Sequence, residues 1–454
     1  MGKWTSQSGR VATVLIIDRS LGDLLKRIQI PSLRWIIAGL LFVETLLAYL
    51  DLQALSVLAP MLRQQLDIGD SRYAFITQGF LLAYTLTFCV GGFFVDKLGV
   101  RNGLALCLVA TSVTTGCHAM ANTSGELAFW RFLMGLSYPG IFLAAARTVS
   151  EWYPMQERAF VYGLYVSGAT AGAIVAYPLV VWMTLKWSWR GPFVIMGVVG
   201  LLVSALWFLL YRRPDIHPWV TEKEREYVRT GRIQEDPASI AGFTWKNVIK
   251  TRPFWAVAIG RLIADSTWMF YVLWLAKFLV EEHGMKIEDV GRYGWIPWAF
   301  ANVGGVAGGW CSGQLIRRGI EIRIARLIVL GICAGVRAFT FLLGIPMPTP
   351  VLLTFVGVLM MCTSAWQVNL SVMNVDNYPA RLVSTVAGVT TSFGTFSSVF
   401  FQSVVAWFLL NYSYRPVFVL ISVLSVTAYI VVHLIVRHAP KPLTTELEAT
   451  GSAG

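Results

Sequence analysis

About a dozen apolar runs, each roughly as long as a bilayer is thick, account for most of this 454-residue chain. A helix rises about 1.5 Å per residue, so about 20 apolar residues cross the hydrocarbon core. The runs lie near Trp35–Leu58, Ala74–Val95, Gly103–Met120, Leu127–Val149, Phe160–Met183, Pro192–Tyr211, Phe254–Val280, Tyr293–Ile316, Ala325–Leu343, Val351–Val375, Val383–Leu410 and Val417–Val436. With 56% of residues hydrophobic and only 14% charged, a soluble fold of this length has nowhere to hide its apolar surface.

The runs come as two sets. The charged turn GGFFVDKLGVR at Gly91–Arg101 returns as GGWCSGQLIRRG at Gly308–Gly319, 217 residues later. Glu151-Trp152-Tyr153-Pro154, followed by Arg158-Ala159, returns as Asp376-Asn377-Tyr378-Pro379, followed by Ala380-Arg381, 225 residues later. Two echoes at nearly one spacing predict an all-α membrane protein with twelve transmembrane helices in two pseudo-symmetric six-helix halves. Secondary transporters are built this way and move one half against the other around a central site. The expected division is an N-terminal segment (1–34), a first half (35–211), a linker (212–252), a second half (253–436) and a tail (437–454).

The formal charge of +12 suggests nucleic acid, but its distribution does not. Lys and Arg concentrate on alternate connections: the N-terminal segment, Lys97 and Arg101, the linker, Arg317, Arg318, Arg323 and Arg326, and the tail. The opposite loops hold few, among them Arg63, Arg72, Lys186, Arg190 and Arg415. By the positive-inside rule both termini are expected in the cytoplasm, on a multi-pass protein of the inner (plasma) membrane. The basic excess then reports topology and some attraction to anionic lipid. The lipid bilayer is an expected partner, nucleic acid is not, and the chain is expected to be a monomer.

Cys89, Cys107, Cys117, Cys311, Cys333 and Cys362 all lie in apolar runs without metal or redox spacing, and the five histidines form no ligand cluster. No metal and no cofactor is expected. Residues 1–34 lack the pattern of a cleaved signal; Val11–Arg27 reads as a short interfacial helix or as disorder. In the linker, Thr221 to Glu224 has a capping-box pattern that predicts a short helix, and Asp236-Pro237 breaks the chain further on. The tail after Pro440 is expected to be disordered. There is no Walker A loop, HExxH or nucleophile elbow, so an enzyme is not expected. The energy must come from an ion gradient or from the substrate's own.

The turn at Gly91–Arg101 resembles the signature of the major facilitator superfamily between its second and third helices, with Gly92, Asp96, Lys97, Gly99 and Arg101 in register. The resemblance implies a latch between the halves rather than substrate contact. Arg147, one turn before Glu151, reads as a structural pair or a latch contact, and Arg158 joins that set.

Charges inside apolar runs are costly and therefore candidate functional groups. Glu44 and Asp51 lie seven residues apart, nearly two turns, and face the same way. Arg131 and Asp51 lie toward the outer side of the first half, where an anion and a proton could compete. Arg261 and Asp265, spaced i, i+4 near a cytoplasmic end, read as partners of each other. Arg337 has no partner evident in the sequence.

Longer matches narrow the resemblance. Tyr49-Leu50-Asp51 before Gln53, Arg131 through Gly135, and Glu151 through Ala159 resemble the anion:cation symporter family. Ala264 through Lys277 in the seventh run, with Trp366 through Leu370 in the tenth, resemble bacterial hexuronate transporters. Leu52, Tyr138, Val166 and Asn302 stand where that family usually carries Arg, Glu, Asn and, in hexuronate transporters, an acid. One cation for the anion and one acid for a proton are thus missing, and Glu44 is the candidate replacement acid.

Trp268, Tyr271 and Trp274 recur every three residues on one broad face and read as a sugar platform or as packing. Lys277 closes that face and could draw a carboxylate. Tyr49, Asn302, Trp366, Gln367, Asn369, Thr390 and Thr391 complete the candidate substrate contacts. The expected function is proton-coupled symport of a small organic anion, a sugar acid such as a hexuronate or aldonate, with Asp51 and Glu44 carrying protons. The alternatives are an aromatic or dicarboxylic acid on the same fold, or an anion receptor that does not transport.

Overall fold

The computed structural model describes residues 29–66, 70–230, 245–285, 289 and 292–437. Val11–Arg27, Asp236-Pro237 and the tail after Pro440 lie outside the described residues. The first half contains α1 (Leu33–Gln65), α2 (Asp70–Leu98), α3 (Val100–His118), α4 (Ser124–Ser137), α5 (Pro139–Trp152), α6 (Met155–Trp187) and α7 (Arg190–Leu210). The linker supplies α8 (Glu222–Thr230) and α9 (Trp245–Val248). The second half contains α10 (Arg252–Glu281), α11 (Ile296–Arg317), α12 (Ile322–Arg337), α13 (Thr349–Asn377), α14 (Ala380–Asn411) and α15 (Tyr414–Arg437). A 3-10 segment, Ala338–Gly344, extends α12.

Each of the twelve expected runs is helical, the fourth as α4 and α5 together. Tyr138 ends one piece and Pro139 starts the next, because a proline fits the first turn of a helix but interrupts its interior. Among the described residues, nine helical stretches are by themselves long and apolar enough to cross a membrane. The runs that miss this mark are α3, α10 and α11, whose sequences carry Thr111 to Thr115, Arg261 with Asp265, and a run of glycines. Polar chemistry and close packing displace hydropathy where function is expected.

Small residues let the helices meet backbone to backbone, as membrane packing favours. A Cβ on Gly168 would come within 2.4 Å of the Phe42 carbonyl, and one on Gly172 within 2.2 Å of the Leu46 carbonyl, so α6 lies directly on α1. In the second half a Cβ on Gly304 would come within 2.2 Å of Met361 O, seating α11 on α13. Neither pair of helices tolerates a side chain there.

The linker end of the bundle is tied to the first helix. Thr221 Oγ1 accepts from Glu224 N (3.3 Å), the predicted cap of α8. The Glu224 carboxylate accepts from Leu33 N (3.0 Å) and Arg34 N (3.2 Å), satisfying free donors at the start of α1. Between α7 and α8, buried His217 packs edge-on against Trp152, accepts from Trp219 N at Nδ1 (3.1 Å), and bonds the Leu210 carbonyl through Nε2 (2.9 Å). Burial lowers the His217 pKa below its ordinary value.

Candidate functional site

The two echoed motifs meet the opposite halves at the linker end. Asp96, near the end of α2, accepts from Thr385 N (2.7 Å), Thr385 Oγ1 (2.6 Å) and Ser384 N (3.3 Å) at the start of α14. The carboxylate thus sits against the second turn of α14, near the positive end of the helix dipole, where a negative charge is favoured. Arg147 holds Asp96 from its own half, donating to its carbonyl (2.8 Å) and carboxylate (3.3 Å), and pairs with Glu151 at 2.9 Å. Gly92 allows this approach: a Cβ there would lie 2.2 Å from the Ser384 carbonyl.

The second set mirrors the first. Arg158, at the start of α6, donates to the Val375 carbonyl (3.0 Å) and lies 3.5 Å from Asp376. Asp376 is the echo of Glu151, and Arg326 clamps it from α12 at 3.1 Å. Arg326 also donates to the Met155 carbonyl across the halves (3.2 Å). A Cβ on Gly309 would come within 2.1 Å of Ala159 O, and one on Gly313 within 2.4 Å of Gln156 O. Asp376, Arg326, Ser384 and Thr385 were missed in the sequence, although the repeat marks Asp376 as Glu151's counterpart. Of the other signature residues, Gly99 takes a positive φ of 77° at the α2–α3 turn, and Lys97 is exposed in the last turn of α2. Arg101 turns back onto its own half, donating to the Phe208 carbonyl (2.9 Å) with its guanidinium over the Phe208 ring (4.3 Å).

Asp51 and Arg131 lie deeper in the first half, both buried. Thr115 Oγ1 donates to Asp51 Oδ2 (3.1 Å). Arg131 donates to the Leu52 carbonyl (2.9 Å) and lies over the Phe80 ring (4.7 Å), which places its charge within electrostatic reach of Asp51. His118 joins this group from the end of α3. It is buried, stacked on Phe193 (centroids 5.3 Å, 17°), and feels the Arg131 charge. Thr115 and His118 were not singled out from sequence; a polar Thr-Thr-x-x-His stretch in an apolar run was the available signal. Glu44 is 1% exposed, and among the described residues neither of its oxygens has a hydrogen-bond partner.

The second half holds a charged group the sequence reading placed wrongly. Arg261 and Asp265 do pair, at 2.9 Å. They are not at a helix end, however: Arg261 lies nine residues into α10, about 14 Å from the linker end. Arg261 also donates to Ser371 Oγ (2.5 Å). Its charge reaches Tyr84, Tyr162 and Tyr165 of the first half. Arg337 is wholly buried, donates to Thr267 Oγ1 (3.1 Å), lies over Trp366 (5.5 Å) and acts on Asp265. These are the partners the sequence could not name.

The remaining candidates divide. Asn302 bridges the halves, donating to Ser167 O (3.1 Å) and Thr170 Oγ1 (2.7 Å) about 22 Å from the linker end. Asn369 clamps α13 to α11 through the Gly308 carbonyl (3.1 Å), and Thr390 accepts from Asn374 (2.8 Å). The Asn369 amide nitrogen and the Thr390 hydroxyl are engaged in packing within the second half, while Asn369 Oδ1 is buried without a hydrogen-bond partner among the described residues. Gln367 and Thr391 are half-buried, and Trp366 is fully buried beneath Arg337. Tyr49 belongs to an aromatic group with Tyr138 (6.4 Å) and Phe142 (6.2 Å). The expected platform is not one surface. Tyr271 is 1% exposed inside the core, while Trp268 packs edge-on to Trp298 (5.6 Å) and Trp274 donates to Gln402 (2.5 Å). The Lys277 side chain lies outside the described residues. Among the described residues no group of His, Cys, Asp and Glu is placed to hold a metal.

This geometry, charged groups buried in two helical halves that interlock at one end, agrees with the comparisons. The hexuronate transporter of Escherichia coli K12 is 27% identical over 420 residues, 91% of this chain and 96% of that one. The galacturonate transporter of Dickeya chrysanthemi is 28% identical over 314 residues, 67% of this chain and 91% of that one. Among solved structures, the proton:xylose symporter XylE superposes with a TM-score of 0.69 at 13% identity, over 91% of this chain and 98% of that one. A profile of the Major Facilitator Superfamily matches residues 41–402. A duplicated twelve-helix fold, the interlocking signature and that match lead to one conclusion: this multi-pass membrane protein is a transporter, not an enzyme, and belongs to the Major Facilitator Superfamily.

Proposed function

We propose that this transporter carries a sugar acid, a hexuronate or aldonate, together with protons, across the inner membrane, with the linker end in the cytoplasm. The observation that carries the reading is the buried charge. Asp51 and Arg131 occupy one half while Arg261, Asp265 and Arg337 occupy the other. Burying a charge without compensation costs several kcal/mol, and such sites persist where an ion or substrate uses them. The hexuronate and galacturonate transporters among the relatives support the sugar-acid class.

In this reading Asp51 takes a proton from the outer side, which releases its hold on Arg131 and lets the loaded halves rock inward. Glu44, buried without a partner, carries a second proton. The bonds described between the halves run from the linker end to Asn302, which fits an outward-facing state closed by Asp96, Arg147, Arg158 and Asp376. Rocking would break these bonds and open the linker end. Purified protein in proteoliposomes, with an inward pH gradient, tests this. Labelled galacturonate or galactonate should accumulate above its outside concentration. Accumulation of an aromatic or dicarboxylic acid instead would replace the substrate class, and binding without accumulation would make the protein a receptor.

A further inference from the structure

We propose that the carboxylate of the substrate is held by Arg261, at a site built from the Arg261–Asp265–Arg337 group of the second half. This rests on the sugar-acid reading above. It places the carboxylate on Arg261 rather than on Arg131 or Lys277, the two cations that the sequence suggested.

Two guanidiniums, Arg261 and Arg337, share one carboxylate, Asp265, in the core of the second half. That leaves one positive charge for which the cluster has no acid. Arg337 is 0% exposed and Arg261 is 8% exposed. Among the described residues, the Nε of Arg261 and the Nε and Nη1 of Arg337 are buried without a hydrogen-bond partner, as is one oxygen of Asp265. An isolated buried cation is expensive, and a guanidinium presents a fork suited to a carboxylate. The missing partner is a monovalent anion.

Position decides which arginine meets it. Arg261 and Tyr165 lie at nearly the same depth, about 14–15 Å from the linker end. The Arg261 charge acts on Tyr84, Tyr162 and Tyr165 of the other half, so it lies close to the central seam. Tyr162, half-buried, and Tyr165, buried behind it in the first-half core, have ring centroids 4.7 Å apart, and a tyrosine's flat face and hydroxyl suit a sugar. A sugar acid there would touch both halves, which a transported substrate must do. Arg337 is a positioning residue. Anchored on Thr267 and Trp366, it keeps its attraction on Asp265 while Arg261 turns to the substrate. Gly394 of α14 packs directly against Asp265, since a Cβ there would lie 2.2 Å from Oδ2.

The test is equilibrium binding of D-galacturonate and of its uncharged amide to the purified, folded full chain. Arg261→Gln should weaken galacturonate binding by about 30-fold or more while changing amide binding less than about threefold. Asp265→Asn should tighten galacturonate by about tenfold, because the substrate no longer competes with an internal carboxylate. Wild-type affinity in Arg261→Gln, or equal losses for acid and amide, would overturn the proposal. Should Arg261→Gln fail to fold, Asp265→Asn decides alone: unchanged or weaker binding overturns the site. No binding of any sugar acid by the wild type would instead defeat the transport reading on which it rests.

Discussion

Asp96→Asn should shift the balance between the two faces of the transporter by about two orders of magnitude. Three donors from the opposite half, Thr385 N, Thr385 Oγ1 and Ser384 N, converge on this carboxylate at 2.7, 2.6 and 3.3 Å. A hydrogen bond to a charged acceptor contributes about 1.5–3 kcal/mol and one to a neutral acceptor about 0.5–1.5. The amide therefore loses about 1 kcal/mol per bond, or about 3 kcal/mol, and one of its two ends is a donor facing donors. At 1.4 kcal/mol per decade, this lowers the population closed at the linker end about 100-fold relative to the open one. Arg147 keeps its pair with Glu151 at 2.9 Å, so the fold of the first half should survive. The assay is pulsed electron spin resonance between labels at Asn102→Cys and Arg318→Cys, exposed positions on the two halves, in a background without the native cysteines. A distance distribution identical to that of unsubstituted protein would refute the latch.

Three further outcomes are expected. Asp51→Asn should abolish gradient-driven accumulation while exchange of substrate for substrate survives, because exchange needs no net proton release; wild-type accumulation would remove Asp51 from proton coupling. A second proton with a monovalent acid moves net charge, adding about 2.3 kcal/mol per 100 mV. Substrate should therefore evoke a current on a solid-supported membrane that Glu44→Gln abolishes without stopping transport; no current from the wild type with a transported acid would return Glu44 to packing. Burial holds the folded His217 pKa below its ordinary 6.5. Its contribution is complete above about pH 6.5 and is lost as pH falls through that value toward the folded pKa. Amide exchange of residues 214–230, corrected for intrinsic rates, should rise between pH 7.5 and 5.5, and His217→Gln should flatten the change.

Much of the fold was legible because the bilayer imposes length. Runs of about 20 apolar residues need no tertiary information to be read as helices, and the echo of Glu151 at Asp376 exposed the duplication. Even the contact between the halves was readable in part, since Gly92 and Asp96 serve a backbone approach with strict steric demands. The polar interior was less legible. Spacing i, i+4 correctly paired Arg261 with Asp265 but could not show that the pair faces the tyrosines of the other half. Arg337 looked isolated because Thr267 and Trp366 are 70 and 29 residues away in sequence. Asn369 and Thr390 looked available because their engagement depends on neighbouring helices, Gly308 O for one and Asn374 for the other. Trp268, Tyr271 and Trp274 share a helical face in projection, yet the packing of the second half buries only Tyr271 completely.

The central claim, coupled movement of a proton and a sugar acid, is tested most directly by their flux ratio. Proteoliposomes in weakly buffered medium, with no imposed gradient, would be given galacturonate while external pH and labelled uptake are followed together. The account predicts that the medium turns alkaline in step with uptake, that a protonophore abolishes the pH change, and that Asp51→Asn removes it. Uptake of the sugar acid with no accompanying proton would contradict it.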